Sequence, residues 1–293
     1  MADVHAPDAP DAPEISVVIP VRNEEHHLPP CLDALAAQVD APRFEVIVVD
    51  NGSTDRTVEV ASGHGVVSRV MTEAARGPYA ARNTGIAAAR GKVVALTDAD
   101  AVAWPRWLAE ASAALAGADL VGGTVRQRPS GTAPTLWERY DSATYLDQDE
   151  NVHQLGFAAT ANLVVRRSVF DTIGVFRPEL VASGDTEFGL RATAAGLRLR
   201  YCAEAGVDHA PRTTMRATWE LHRKLGSGFA ELARAGLRPK YWADPALRTT
   251  PQHMAHMVDL AARQGPPVRR RYLVPVHLVV MTARWVGYLS GRG

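Results

Sequence analysis

An α/β protein with a parallel sheet covered on both sides is the fold class the sequence predicts. Three observations carry it: β-branched apolar runs of about five residues, helical segments of about ten between them, and an acidic pair, Asp98 and Asp100, directly after one such run. The first strand is residues 15–19, followed by a helix at 28–38, a strand at 44–49 and a helix at 54–62. A strand at 66–71, a helix at 79–90 and a strand at 92–96 continue the alternation. Residues 104–116 read as another helix with Pro105 suited to its first turn, and 120–125 as another strand. Past residue 126 the rhythm changes to a helical stretch at 136–146, an irregular segment at 156–162, and strands at 163–166 and 197–202. A long helix follows at 215–235, where Trp219, Leu221, Leu225, Phe229 and Leu232 recur at mixed helical spacing.

Composition narrows the function. The 293 residues are 46% hydrophobic, enough for a large core without staples, and 32 basic against 32 acidic residues leave no net field to hold nucleic acid. Basic charge is almost all arginine, the only lysines being Lys92, Lys224 and Lys240, which suits phosphate recognition or reflects compositional bias. Cys31 and Cys202 are isolated thiols, compatible with a reducing cytoplasm. The Ala/Asp/Pro tract of residues 1–13 has neither the basic region nor the apolar core of a signal peptide, and reads as a disordered tail.

Two carboxylates at a strand's exit repel unless a cation or proton lies between them, so Asp98 and Asp100 point to a divalent metal and a phosphate-bearing substrate. Three other segments fall at strand ends on the same edge: Pro20-Val21-Arg22-Asn23-Glu24-Glu25, Asp50-Asn51-Gly52-Ser53-Thr54-Asp55 and Arg76-Gly77-Pro78-Tyr79-Ala80-Ala81-Arg82-Asn83. Asp50 is placed either to accept a bond from a base or ribose in the crevice or to serve the turn that Asn51-Gly52 signals. Arg82 is either a guanidinium near a diphosphate or an exposed helical charge.

Together these segments resemble family 2 glycosyltransferases of the GT-A fold. The matching stretches are Ile15-Ser16-Val17-Val18-Ile19-Pro20, Val49-Asp50-Asn51-Gly52-Ser53-Thr54-Asp55, Ala81-Arg82-Asn83-Thr84-Gly85 and the DxD motif Asp98-Ala99-Asp100. The resemblance runs from Ile15 to about His209 and is strongest before Val125. It implies a Rossmann-like half at 14–125 with a mixed, mainly parallel sheet, an acceptor-binding half of the same domain at 126–212, and a helical extension at 213–293. It further implies that Pro20, Arg22, Glu24, Asp50, Arg82, Asp98, Ala99 and Asp100 bind a nucleotide-diphosphate sugar, UDP being the expected carrier. Asp50 would read the base, Asp98 would contact ribose or sugar, and Asp100 would hold Mn²⁺ or Mg²⁺.

By the same resemblance Asp185, in Ser183-Gly184-Asp185-Thr186-Glu187-Phe188, would be the general base of an inverting single displacement, where the residues alone equally allow a helix cap. Gly184 stands where many relatives carry Glu, which removes a neighbouring acceptor contact. His209 would add a metal ligand, against the alternative of a packing histidine. The transmembrane helices and Gln-x-x-Arg-Trp motif of processive synthases are not found; residues 222–228 offer instead a basic, glycine-bearing lid or a solvated helix face. A haloacid-dehalogenase-like phosphatase would need a suitable downstream lysine, and a nucleotidyltransferase a Gly-rich loop that Arg22-Asn23-Glu24-Glu25 replaces. A nucleotidyltransferase or an inactive sugar-nucleotide-binding protein stands as the alternative reading.

Residues 273–289 are apolar but fall short of the roughly 20 that span a bilayer. On a helical wheel His277, Arg284 and Tyr288 form a narrow stripe within the apolar surface, after the basic Arg269-Arg270-Arg271. Such a helix either docks on the protein or lies in an anionic membrane surface through residues 268–289, in which case a lipid-linked acceptor joins glycans and small molecules as candidates. The expected location is the cytoplasm, with peripheral contact to the inner face of the cell membrane.

Overall fold

The computed structural model describes residues 12–129, 131, 133–237, 251–263 and 268–291, so the expected disordered tail lies outside the described residues up to residue 11. Strands β1 (Ile15–Val21), β2 (Phe44–Asp50), β3 (Arg69–Thr72) and β4 (Val93–Thr97) are parallel neighbours connected through helices α1 (Leu28–Ala36), α2 (Thr57–Gly63) and α3 (Pro78–Ala88). Then come β5 (Ala101–Ala103), α4 (Trp107–Ala114), β6 (Leu120–Gln127), α5 (Leu136–Thr144), the short α6 (Gln148–Glu150), β7 (Asn162–Arg166) and α7 (Arg167–Ile173). The chain finishes with α8 (Gly184–Ala194), β8 (Leu199–His209), α9 (Met215–Arg234), α10 (Pro251–Ala262) and α11 (Val274–Ser290).

The strands form one sheet in the order β3-β2-β1-β4-β7-β6-β8-β5. It is parallel from β3 to β4, antiparallel on both sides of β7, parallel again between β6 and β8, and closed by antiparallel β5. Alternation along β1 and β2 assigns the two faces. Val17, Ile19, Val46 and Val48 pack with α1 and α4 through Leu32, Leu35, Trp107 and Leu108, while Val18, Ile47 and Val49 pack with α3 and α8 through Ile86 and Phe188. Each large apolar side chain so buried contributes roughly 1.5–3 kcal/mol, which is why both faces hold continuous apolar runs.

Three local expectations change. Pro105 is not in a first turn: Trp104 is held outside the helix by its indole N–H donating to Asp208 (2.9 Å), and α4 begins only at Trp107. The helix expected from residue 54 begins at Thr57 because the Asp55 carboxylate takes the Thr57 N–H (3.1 Å) and the Glu25 N–H (3.2 Å), tying the preceding loop to the end of β1. The strand expected at 197–202 runs on to His209, since Val207, Asp208 and His209 pair with β5 on one side and β6 on the other.

Helix α11 lies along α9 with little room between backbones. A Cβ on Gly226 would sit 2.1 Å from the Arg284 carbonyl oxygen, and one on Gly287 1.9 Å from that of Arg223. The glycines of 222–228 therefore serve close packing and are not hinges. The stripe of His277 and Arg284 faces inward, Tyr140 bonding His277 (2.6 Å) and Arg284 Nε donating to His222 Nδ1 (3.0 Å). Leu278, Trp285, Val286 and Leu289 point out, 54%, 37%, 43% and 58% exposed. A 3-10 turn at Arg270–Tyr272 lengthens this apolar element to 21 residues, Arg270–Ser290, whose most apolar 18-residue stretch has a mean hydropathy of 1.3 and is 39% buried in the protein; by length and composition alone it is long and apolar enough to cross a membrane.

Candidate active site

Parallel strands deliver their ends to one edge. β1 ends at Val21, β2 at Asp50 and β4 at Thr97, and the reversals around β7 bring the end of β8, His209, to the same edge. There the chain opens a cavity of about 730 Å³. Of the residues singled out from sequence, Pro20, Arg22, Glu24, Arg82, Asp98, Ala99, Asp100 and Asp185 border this one cavity. Asp50 stands one residue behind it: its carboxylate takes the N–H groups of Gly52 (3.2 Å) and Ser53 (3.1 Å), and Asn51 is the residue that reaches the cavity wall. The turn role of Asp50 is thus the one visible in the geometry. Asn51 in turn pins the next loop, donating to the carbonyls of Glu73 (3.0 Å) and Ala75 (2.8 Å) and accepting from the Gly77 N–H (2.8 Å).

The acidic turn meets His209 through strand register. Ala101 of β5 pairs with His209 of β8, which sets Asp100 beside the imidazole, Nε2 to carboxylate 3.3 Å. The donor atoms of Asp98, Asp100 and His209 all lie within 4.8 Å of one another. His209 Nδ1 is 3.0 Å from the Ala210 carbonyl, so the hydrogen belongs on Nδ1 and the lone pair of the neutral ring on Nε2, toward the carboxylates. Two carboxylate oxygens and one imidazole nitrogen at this spacing are a donor set that fits Mn²⁺ or Mg²⁺. With the ring protonated instead, burial opposes charge on Asp100, but the His209 Nε2–H bond and charge and the nearby Arg212 outweigh it and hold the carboxyl below its usual range. Burial of the imidazole is likewise outweighed by Asp100, which raises it in turn.

Arg82, 5% exposed, reaches from α3 to Asp98 (2.5 Å). Cys31 lies beneath, its thiol 3.7 Å from the Asp98 carbonyl and pushed far above its normal pKa by burial, which makes it inert packing. Asp185 lines the same cavity from the first turn of α8, where its carboxylate takes the Thr186 N–H (2.9 Å). Withdrawal from water is the dominant influence and raises its pKa.

Sequence reasoning missed Arg212 and Tyr79, both of which border the cavity, as does Lys224 of the basic segment 222–228. Arg212 lies over the Tyr145 ring (4.5 Å) and is held by Asp141, itself fully buried, which accepts both its backbone N–H (3.0 Å) and its guanidinium (3.2 Å). The available signal was its place three residues beyond His209, at the exit of the strand that closes the site. Lys224 comes with Leu221 and Leu225 from α9, so one face of that helix walls the cavity.

Residues 16–174 match the family model described as Glycosyl transferase family 2. The chain is similar to glycosyltransferase AglE of Haloferax volcanii, 36% identical over 208 residues covering 68% of each chain. It is 34% identical over 205 residues to an uncharacterized glycosyltransferase of Mycobacterium tuberculosis, covering 68% of this chain and 86% of the other. Among solved structures it is similar to the mannosyltransferase PcManGT of Pyrobaculum calidifontis in complex with GDP-Man and Mn²⁺, at a TM-score of 0.65 and 21% identity over 97% of this chain and 88% of that one. S. aureus TarS 1-349 in complex with UDP-GlcNAc shares the fold at a TM-score of 0.55 and 18% identity, over 95% and 90% of the two chains.

Proposed function

The chain belongs to glycosyl transferase family 2 and is a glycosyltransferase of the GT-A fold; from that premise we propose that it moves one sugar, with inversion, from a nucleotide diphosphate held through Mn²⁺ or Mg²⁺ to an acceptor hydroxyl. The observation that supports this best is the gathering of Asp98, Asp100 and His209 within reach of one ion, with both aspartates and Asp185 lining the same cavity. The division of labour follows the chain: residues 14–125 take the nucleotide, 126–212 bind the acceptor and supply the base, and in the helical region that follows α9 walls the site.

Asp98, Asp100 and His209 would hold the metal, which, when bound, supplies Lewis-acid stabilisation of the leaving diphosphate. Arg212 and Lys224 line the cavity and offer that diphosphate cations, Arg212 in a fixed orientation because Asp141 and Tyr145 hold it. Pro20 at the end of β1, Arg22 and Glu24 just after it, and Asn51 just after β2 border the place for base and ribose, with Asp50 behind them holding the turn that presents Asn51. Asp185 removes the acceptor proton as the oxygen attacks the anomeric carbon. Its raised pKa makes the carboxylate a stronger base than one in water, and burial limits competition from solvent. UDP is the carrier we favour; the neighbours in complex with GDP-Man and UDP-GlcNAc support nucleotide sugars as the donor class.

The outward apolar face of α11, with Arg269–Arg271 before it, supports a cytoplasmic enzyme resting on an anionic bilayer and a lipid-linked acceptor. Substituting Asp185→Asn tests the core of the reading. Transfer falls by about 10²–10⁴ while nucleotide affinity is kept; parallel loss of both would remove Asp185 from the role of base and favour an inactive or purely binding site.

A further inference from the structure

We infer that Asp208 is a positioning residue for the metal site: with Trp104 and Arg126 it clamps β5, β8 and β6 together on one face of the sheet and so fixes the spacing of Asp100 and His209 on the other. The inference rests on Asp98, Asp100 and His209 being the residues that hold the cation. Val102, Asp208 and Arg126 pair in one row across the three strands, and Ala101, His209 and Gln127 in the next. Alternation puts the two rows on opposite faces. The row of Asp208 is the outer one, where Val102 and Arg126 are exposed.

Strand β5 needs such a hold. It is an edge strand of three residues, paired on one side only through Ala101–His209, Val102–Asp208 and Ala103–Val207. A ladder this short adds little stability of its own. Asp100 directly precedes it, so β5 leaving β8 would carry that carboxylate away from the imidazole it meets at 3.3 Å.

Trp104, the residue after β5, supplies the hold. Its backbone N–H donates to the Gly206 carbonyl (2.9 Å), and its indole N–H donates to Asp208 Oδ1 (2.9 Å) two residues further on the same face. The ring lies on Gly206, where a Cβ would come within 2.4 Å of it, so a side chain at 206 would displace the indole. Arg126 of β6 closes the clamp: its Nε donates to the same Oδ1 (2.7 Å), its terminal nitrogen to Oδ2 (2.9 Å), and its guanidinium lies over the Trp104 ring (4.8 Å). Arg128 adds a bond to Oδ2 (2.9 Å). Gln38 takes the Trp104 carbonyl from beyond α1 (2.8 Å), which ties Trp104 to the body of the protein but not to β8. One carboxylate thus joins three adjacent strands through charge-assisted bonds, next in sequence to a metal ligand.

The test is binding of Mn²⁺ alone, read from the electron paramagnetic resonance of the free ion, with the melting temperature of the metal-free protein measured on the same samples. Trp104→Phe keeps the charge of Asp208 and a ring over Gly206 but loses the donor. Asp208→Asn loses the charge but keeps Oδ1, which takes both the indole and the Arg126 Nε bonds; Asp208→Val loses charge and acceptor together. Expected is an affinity about 10-fold or more lower in Trp104→Phe and Asp208→Val, and within about 3-fold of the parent in Asp208→Asn. The two Asp208 variants shed the same charge, so their difference decides the matter alone if Trp104→Phe does not fold. Equal loss in both would mean that the carboxylate acts on the cation by its charge, and overturns the inference. A lower melting temperature with unchanged Mn²⁺ affinity in Trp104→Phe or Asp208→Val overturns it too, leaving the clamp a role in stability only. Failure of the underlying reading shows separately, as Mn²⁺ binding that survives Asp100→Ala.

Discussion

Asp185 is destabilising to the folded chain for the same reason it suits proton removal. Burial raises its carboxyl, so the folded state favours the protonated form. Its contribution is whole below the ordinary carboxylate range near pH 4 and is lost as pH rises through the raised folded value. Asp185→Asn therefore melts at a higher temperature than the parent at pH 7, the gap closing in acid, while transfer is lost; calorimetry across pH 3–8 checks this. A gap that widens in acid would mean the carboxylate is stabilised in the fold. At this scale Asp98, Asp100 and Arg82 were legible because each lies at a strand exit or the helix start beside it. Tyr79 and Arg212 were not: each is held by a hydrogen-bond partner, at 184 and 141, and no local pattern reports such a pairing.

Among the elements, α9 and α11 act as a unit. Gly287→Ala forces a methyl onto the Arg223 carbonyl and costs about 1–3 kcal/mol, seen as a lower denaturant midpoint with an unchanged slope. A neutral substitution would mean the helices separate freely. His222 adds a pH term. Burial, then the guanidinium groups of Arg284 and Arg212, hold its pKa well below normal, so stability present above about pH 6.5 is lost as pH falls toward the folded value. His222→Gln flattens the fall in melting temperature between pH 7 and 5; an unchanged slope would assign that fall to other groups. Strands β1, β2 and β4 were legible because double-sided burial demands an uninterrupted apolar run. The far end of β8 and the three residues of β5 were not: Glu204, Gly206 and Asp208 break the apolar pattern, and only the pairing of the two strands explains them.

Over the whole molecule, the same edge of the sheet that gathers the acidic turn, His209 and Asp185 is roofed by α9, and α9 carries α11 on its other side. The helix wheel revealed that α11 has two unlike faces, but not which one the protein keeps; that depended on Tyr140 and His222 being there to receive the polar stripe. Deleting α11 would strip α9 of its partner, so the membrane reading is better tested by Trp285→Ser with Leu289→Ser, which alter the outward face alone. Flotation with vesicles containing anionic lipid should fall by about 10-fold or more, each large apolar group being worth roughly 1.5–3 kcal/mol. Equal flotation of parent and variant, or none by either, removes the bilayer as partner.

The most direct measurement is calorimetric titration of UDP, GDP, TDP and CDP into the protein with and without Mn²⁺, repeated on Asp100→Ala. The account predicts that one diphosphate, UDP first, binds with the metal and loses about 100-fold or more in affinity, roughly 2.7 kcal/mol, without it or in the variant. Binding that ignores both metal and substitution, or no binding by any of the four, would contradict a metal-held diphosphate at Asp98, Asp100 and His209.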